Sequence, residues 1–220
     1  LYTREDAGDP ASTGLPGGYP FVRGAAPLGG WSICQEYDDP RPDVVTAQIA
    51  EDLPRGVEAL WLRLGPRHGC RVLTVPELDD LLGPVDLAST SVRVDGGSDT
   101  LAVAAGLLAV AHRRGVAYES LAGGFAFDPI ASLASEGRVR GGLRARLAEL
   151  VDLAAWCDSN APGLRSIDVS SDPYDGGGAS AAQELAYTMA PGVEYVRQMT
   201  ALGESVESAA RQIGFRSAVS

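Results

Sequence analysis

The chain contains no lysine: all 18 basic residues among its 220 are arginine. A lysine Schiff base, a lysine-anchored pyridoxal phosphate and a Walker phosphate loop are therefore excluded within this span. Histidine is nearly as scarce, with only His68 and His112. His68 lies in a Pro/Gly loop. His112 ends a helix-like run, where an imidazole complements the negative end of the helix dipole, so neither is read as a metal ligand. The three cysteines, Cys34, Cys70 and Cys157, are widely separated and form no C-x-x-C. No disulfide framework follows, and a reducing cytoplasm is the expected setting. Positive charge is short as well. A net charge of -11 argues against non-specific nucleic-acid binding, which needs a basic surface to displace counterions. No run reaches the roughly 18 apolar residues of a membrane span. The opening LYTREDAGDP lacks the basic start and apolar middle of a signal peptide. Ser-His-Asp order, H-E-x-x-H, zinc-ligand spacing and G-x-G-x-x-G after the first strand are all absent.

What is present is a globular composition, 45% hydrophobic and 21% charged, in a length that can bury one large domain or two small ones. The chain starts without Met and stops after an apolar strand-like run, so it reads as a fragment of something longer. Residues 1 to 42 read as an irregular Gly/Pro arm followed by an extended segment, GGWSICQEY. Residues 43 to 220 then alternate. Helices are expected at Asp43–Leu53, Val75–Leu82, Thr100–Arg114, Gly142–Asp158, Ala179–Leu202 and Ser205–Ile213, the fifth kinked near Pro191. Strands are expected at Glu58–Leu64, Asp86–Val94, Glu119–Phe127, Leu164–Ser171 and from Gly214. Ser98 or Asp99 should cap the third helix, with Gly115 as its stop. Helix-length segments between successive strands force crossovers and hence a parallel sheet. It is either an open doubly wound sheet or a (β/α)8 barrel of which about half is present.

Three constellations bear on chemistry. The loop from Asp168 to Gly178, with Asp172, Tyr174 and Asp175, sits where parallel α/β folds bind ligands. Its carboxylates suit either a divalent ion or an ordinary turn and cap. Cys34, in the extended segment, has no neighbouring His or Lys to activate it. Arg138, Arg140, Arg144 and Arg146 suit either phosphates or a solvated helix face.

Four stretches carry a resemblance. PGGYPFVRG (16 to 24) is similar to a P-x-x-P-F-x-R-G arm, and WSICQEY (31 to 37) to W-T-I-R-Q-Y. Leu121-Ala122-Gly123 with Asp128 is similar to L-A-G-T-I-Q-N-D. GASAAQELAYTMAPGVEYVRQ (178 to 198) is similar to G-A-T-A-x-x-E-L-A-x-T-L-A-D-G-x-x-Y-I-R. In this order they resemble the acyl-CoA mutases typified by methylmalonyl-CoA mutase. The resemblance implies a (β/α)8 TIM-barrel-type fold binding acyl-CoA along its axis. It also implies radical interconversion of (R)-methylmalonyl-CoA and succinyl-CoA by adenosylcobalamin. The D-x-H-x-x-G loop by which such cobalamin domains offer a histidine to cobalt is absent here.

Carried over residue by residue, the family's site fails at five positions. Its coenzyme A arginine falls on Cys34 and its active-site tyrosine on Glu36, while Tyr37 should face the opposite side of the strand. The motif glutamine falls on Ala126, the carboxylate-binding arginine on Glu136 with Arg138 close by, and the thioester histidine on Asp175. The pattern resembles the small (β) subunit of heterodimeric methylmalonyl-CoA mutase, which stabilises a catalytic large subunit and does no chemistry itself. The implied chain has no catalytic, cofactor-binding or metal residue of its own, and its cobalamin belongs to the complex. The arm to Gly30 is the candidate for reaching the partner. Two alternatives stand beside this reading. One is a divergent mutase active on another acyl group. The other is an unrelated metal-dependent barrel enzyme using Asp168, Asp172 and Asp175.

Overall fold

A computed structural model describes residues 17–19, 30–65 and 69–218. Most of the arm, His68 and the PGGYPFVRG segment except residues 17–19 lie outside them. The chain divides into two compact units, 1–32 and 33–220, and the second holds the fold.

In that unit strands and helices alternate. Strand β1 (Cys34–Tyr37) is followed by α1 (Pro42–Asp52), β2 (Ala59–Arg63), α2 (Val75–Leu81), β3 (Ser91–Asp95) and α3 (Thr100–Arg113). Then come β4 (Gly123–Phe125), α4 (Pro129–Glu136), α5 (Leu143–Asn160), β5 (Leu164–Arg165) and β6 (Ile167–Ser170). The last elements are the single turn α6 (Asp172–Asp175), α7 (Ala181–Ala201), α8 (Val206–Arg211) and β7 (Ile213–Arg216). The larger sheet runs β1-β2-β3-β4-β5 and the smaller pairs β6 with β7. Every pairing is parallel. Among the described strands, order in space follows order in sequence. A doubly wound sheet reverses its strand order at a switch point, and no reversal occurs here.

The two faces of the sheet differ. Tyr37, Leu60, Leu62, Val92, Val94, Phe125, Ile167 and Val169 are buried in one core with Val45, Ile49, Leu107, Val110, Leu150 and Tyr195 from the helices. Each large apolar side chain so buried contributes about 1.5–3 kcal/mol. The alternate positions carry Glu36, Trp61, Arg63, Arg93, Asp95, Asp168 and Arg216, so the opposite face is polar. Period-2 alternation puts each set on its own side. One face packs on helices and the other presents charge.

Several expectations shift. The segment placed with the arm, Cys34–Tyr37, pairs with β2 and belongs to the sheet. The strand expected from Asp86 begins at Ser91, because Asp86 accepts from Ala88 N and Ser89 Oγ and folds 86–90 into a turn. The strand expected over Glu119–Phe127 is only Gly123–Phe125, preceded by a 3-10 turn at Tyr118–Ser120. The single strand expected from Leu164 is broken at Ser166, whose N–H and Oγ both donate to Gln212 Oε1 instead of to a neighbouring strand. Neither Ser98 nor Asp99 caps α3 by its side chain. Thr100 Oγ1 accepts from Gly96 N at 3.1 Å instead. Helix α4 was not expected at all. Asp128 caps it, Pro129 opens it and Gly137 (φ 68°) stops it.

Candidate functional site

The strands end in a cavity of about 730 Å³ at their carboxyl ends, the position where parallel α/β folds place their chemistry. Its lining comes from the ends of β2, β3, β4, β6 and β7 and from α4. Alternation along β2 brings Arg63 to this face, where it meets Glu36 at 3.3 Å and Asp95 at 3.7 Å. Across the sheet, Arg93 Nη1 donates to Asp168 Oδ2 at 3.0 Å. Gly124 stands opposite Arg93 and Gly214 opposite Asp168 in the strand registers, so no side chain intervenes at either position. A Cβ on Gly214 would sit 3.2 Å from Asp168 Oδ1. Arg216 ties the far edge: it lies 3.9 Å from Asp168 and 3.1 Å from Asp172, and donates to Ser170 Oγ at 2.8 Å. Its guanidinium also stacks 4.2 Å from the Trp61 ring centre. Trp61 is on β2 and Arg216 on β7, strands that are not neighbours, so this face is concave.

Below the rim, Asp128 is almost fully buried and joins three elements. Its Oδ1 accepts from Ala131 N at 2.9 Å and from the Tyr195 hydroxyl at 2.5 Å, and its Oδ2 accepts from Ser170 N at 2.9 Å. Burial pushes its carboxyl above the ordinary range, against the pull of those hydrogen bonds. Burial likewise raises Asp168, against the opposing pull of Arg93 and Arg216.

The five positions onto which the resemblance maps the family's site do not converge. Ala126 and Glu136 line the cavity, Glu136 accepting from Ser98 Oγ at 3.4 Å. Arg138 lines it too and makes no ion pair among the described residues. Glu36 and Cys34 share the concave face but lie outside the lining. Burial raises the Cys34 thiol, with Arg93 pulling it down. Asp175 ends α6 and stands outside the lining. Tyr37 turns to the helix layer, where its hydroxyl donates to Asp52 Oδ2 at 3.0 Å. Of the other arginines, Arg140 meets Asp99 at 3.0 Å at the rim and Arg146 meets Glu149 at 2.8 Å on α5.

Asp168 and Asp172 are paired with arginines, and no group of three or more His, Cys, Asp or Glu side chains among the described residues could hold a metal ion. Sequence reading missed Arg63, Arg93, Asp95 and Arg216. Their signal was available, since charges at alternate positions of WLRL and SVRVD mark a polar sheet face.

Fold and cavity together define a parallel α/β protein whose site opens at the carboxyl ends of its strands. The sequence profile of the methylmalonyl-CoA mutase family matches residues 64–220, and the chain belongs to that family. It is 38% identical over 98% of its length to the methylmalonyl-CoA mutase small subunit of Streptomyces virginiae, covering 34% of that protein. With the small subunit of Propionibacterium freudenreichii subsp. shermanii it shares 32% identity over 98% of its length and 33% of the relative's. A probable large subunit from Mycobacterium bovis is 27% identical over 67% of the chain and 20% of the relative. The chain thus spans about a third of the length of the small subunits it matches. No helix among the described residues is long and apolar enough to cross a membrane.

Proposed function

We propose that this chain is part of the non-catalytic small subunit of a heterodimeric methylmalonyl-CoA mutase, and that residues 43–220, with strand β1 added in front of them, form about the first half of a (β/α)8 barrel. Sequential parallel order, one apolar face under the helices and a concave polar face favour a barrel over a doubly wound sheet. The subunit's work is structural, namely to hold the catalytic large subunit in its active form within the cytoplasm. The observation that carries the reading is the mouth itself. Glu136 stands where the family resemblance expects a carboxylate-binding arginine, and Ala126 where it expects a glutamine. Two like charges at about 4 Å repel by roughly 4 kcal/mol at an effective dielectric of 20.

The residues present do not fit adenosylcobalamin. No imidazole occurs among the described residues lining the cavity, and His112 lies in the last turn of α3, outside that lining. The cofactor is assigned to the complex and not to this segment.

Co-expression with a large subunit tests the proposal. The two chains are expected to copurify in equal amounts, with mutase activity lost on substitutions in the large chain and retained after Glu136→Ala. Failure to copurify, or turnover by the small chain alone, overturns it. One observation favours a second reading. Arg138 reaches the cavity with no ion partner among the described residues, as a divergent mutase holding another acid would require. Saturable micromolar acyl-CoA binding that disappears in Arg138→Ala would favour that enzyme.

A further inference from the structure

The cavity reaches Arg63 on β2 and Arg216 on β7 but not Trp61 or Gly214, the next residues back on the same face. It therefore ends at one layer of side chains. Two guanidinium groups bear on that layer. The Arg216 guanidinium lies 4.2 Å from the centre of the Trp61 ring and the Arg63 guanidinium 5.6 Å from it. Stacking of this kind strengthens as water is excluded, and the Arg216 side chain is only 16% exposed. Arg216 is itself fixed through Ser170 and Asp172. The Trp61 indole N–H has no acceptor among the described residues, so the contacts with these two guanidinium groups hold the ring.

We propose that Trp61, clamped against Arg216, is a stopper that shuts the concave face and makes the cavity a blind cup. The cup admits short polar ligands at its mouth and excludes an extended chain running along the strands. The proposal rests on the curled-sheet reading of the fold. It concerns which ligands can enter, not which partner is bound.

Pantetheine is a suitable extended probe, read by 19F NMR of the full-length chain carrying 5-fluorotryptophan, with the Trp61 resonance assigned by its loss in Trp61→Phe. The wild-type resonance is expected to stay unshifted at millimolar pantetheine. Trp61→Gly should bind pantetheine at least ~10-fold more tightly by calorimetry. Added indole should refill the void, raise the Tm of Trp61→Gly but not of the wild type, and compete with pantetheine. A saturable wild-type Trp61 shift with pantetheine overturns the stopper. So does a Trp61→Gly protein that indole stabilises but that gains no pantetheine binding. Should Trp61→Gly fail to fold, Arg216→Ala provides the opened form and the same comparison. Loss of copurification with a large subunit would count against the small-subunit proposal and leave this result standing.

Discussion

At the scale of single residues, the tightest knot is Asp128. One carboxylate caps α4, accepts from β6 and binds the Tyr195 hydroxyl of α7, and the same hydroxyl accepts from Ile130 N at 3.0 Å. Removing it loses a helix cap, worth about 1 kcal/mol. It also strands buried donors at about 1–3 kcal/mol. Asp128→Ala is expected to lower unfolding free energy by about 2–4 kcal/mol in urea denaturation, and Tyr195→Phe by roughly 1–2 kcal/mol. Arg114 makes a second knot. It donates to Asp79 Oδ1 at 2.6 Å and to the carbonyls of Asp79, Leu82 and Val85, pinning α2 to α3. The hydrogen bond and charge of Arg114 hold the Asp79 carboxyl below its ordinary value, with Arg113 assisting. A group depressed in the folded state stabilises above its unfolded pKa, near 4, and that stabilisation is lost as pH falls through the folded value. Asp79→Asn should therefore flatten the acid limb of a Tm-versus-pH curve below about pH 4. Asp128 and Asp168 act in the opposite sense. Their raised values make stability fall as pH climbs from the unfolded pKa through the folded one.

At the scale of elements, legibility followed period and length. The apolar spacing of α1, α3, α5 and α7 was plain because each runs for three turns or more. The strand expected over Glu119–Phe127 is longer than β4 because Leu121 to Phe127 holds no polar residue, so period carries no boundary. Its true start is a glycine. Gly123 adopts φ +122°, and a Cβ there would meet the Val92 carbonyl oxygen at 2.0 Å. Gly123→Ala is expected to cost more than about 1 kcal/mol, with protection lost first at the β3–β4 amides in hydrogen exchange. Helix α4 was overlooked although Asp128-Pro129 and Gly137 are an N-cap, a first-turn proline and a left-handed stop. Asp128 is at once the last residue of the family motif and the cap of α4. The site was half legible. Ala126 and Glu136 are named by motif position and line the cavity, whereas the Arg93–Asp168 and Trp61–Arg216 contacts join strands remote in sequence and needed the fold. Tyr37 was placed correctly, because one step along a strand exchanges faces.

At the scale of the molecule, one side of the fold remains uncovered. Leu185, Met189 and Val193 recur every fourth residue on α7 and are 65%, 47% and 45% exposed, with Phe215 of β7 at 51%. A Cβ on Gly192 would meet Phe215 Cζ at 2.9 Å, so the ring lies against α7 beside this flank. Among the described strands, β7 pairs only with β6, leaving an unsatisfied edge of the kind that templates further pairing. A contiguous apolar flank beside an open strand edge is unusual on a finished surface. The partial-barrel proposal makes it the seat of another βα unit, which would extend the sheet in the order already set and bury the α7 flank. Residues 1–220 expressed alone should bind a hydrophobic dye and exchange the outward-facing β7 amides, those not bonded to β6, within the dead time. In a polypeptide of the relatives' length, those amides should be protected and dye binding lost. Replacing Leu185, Met189 and Val193 together by Ser should then improve the solubility of the short form while destabilising the long one by several kcal/mol, at about 1.5–3 kcal/mol per buried large side chain. Equal stability of the long form with and without these substitutions would show that the flank stays in water and that no further unit packs there.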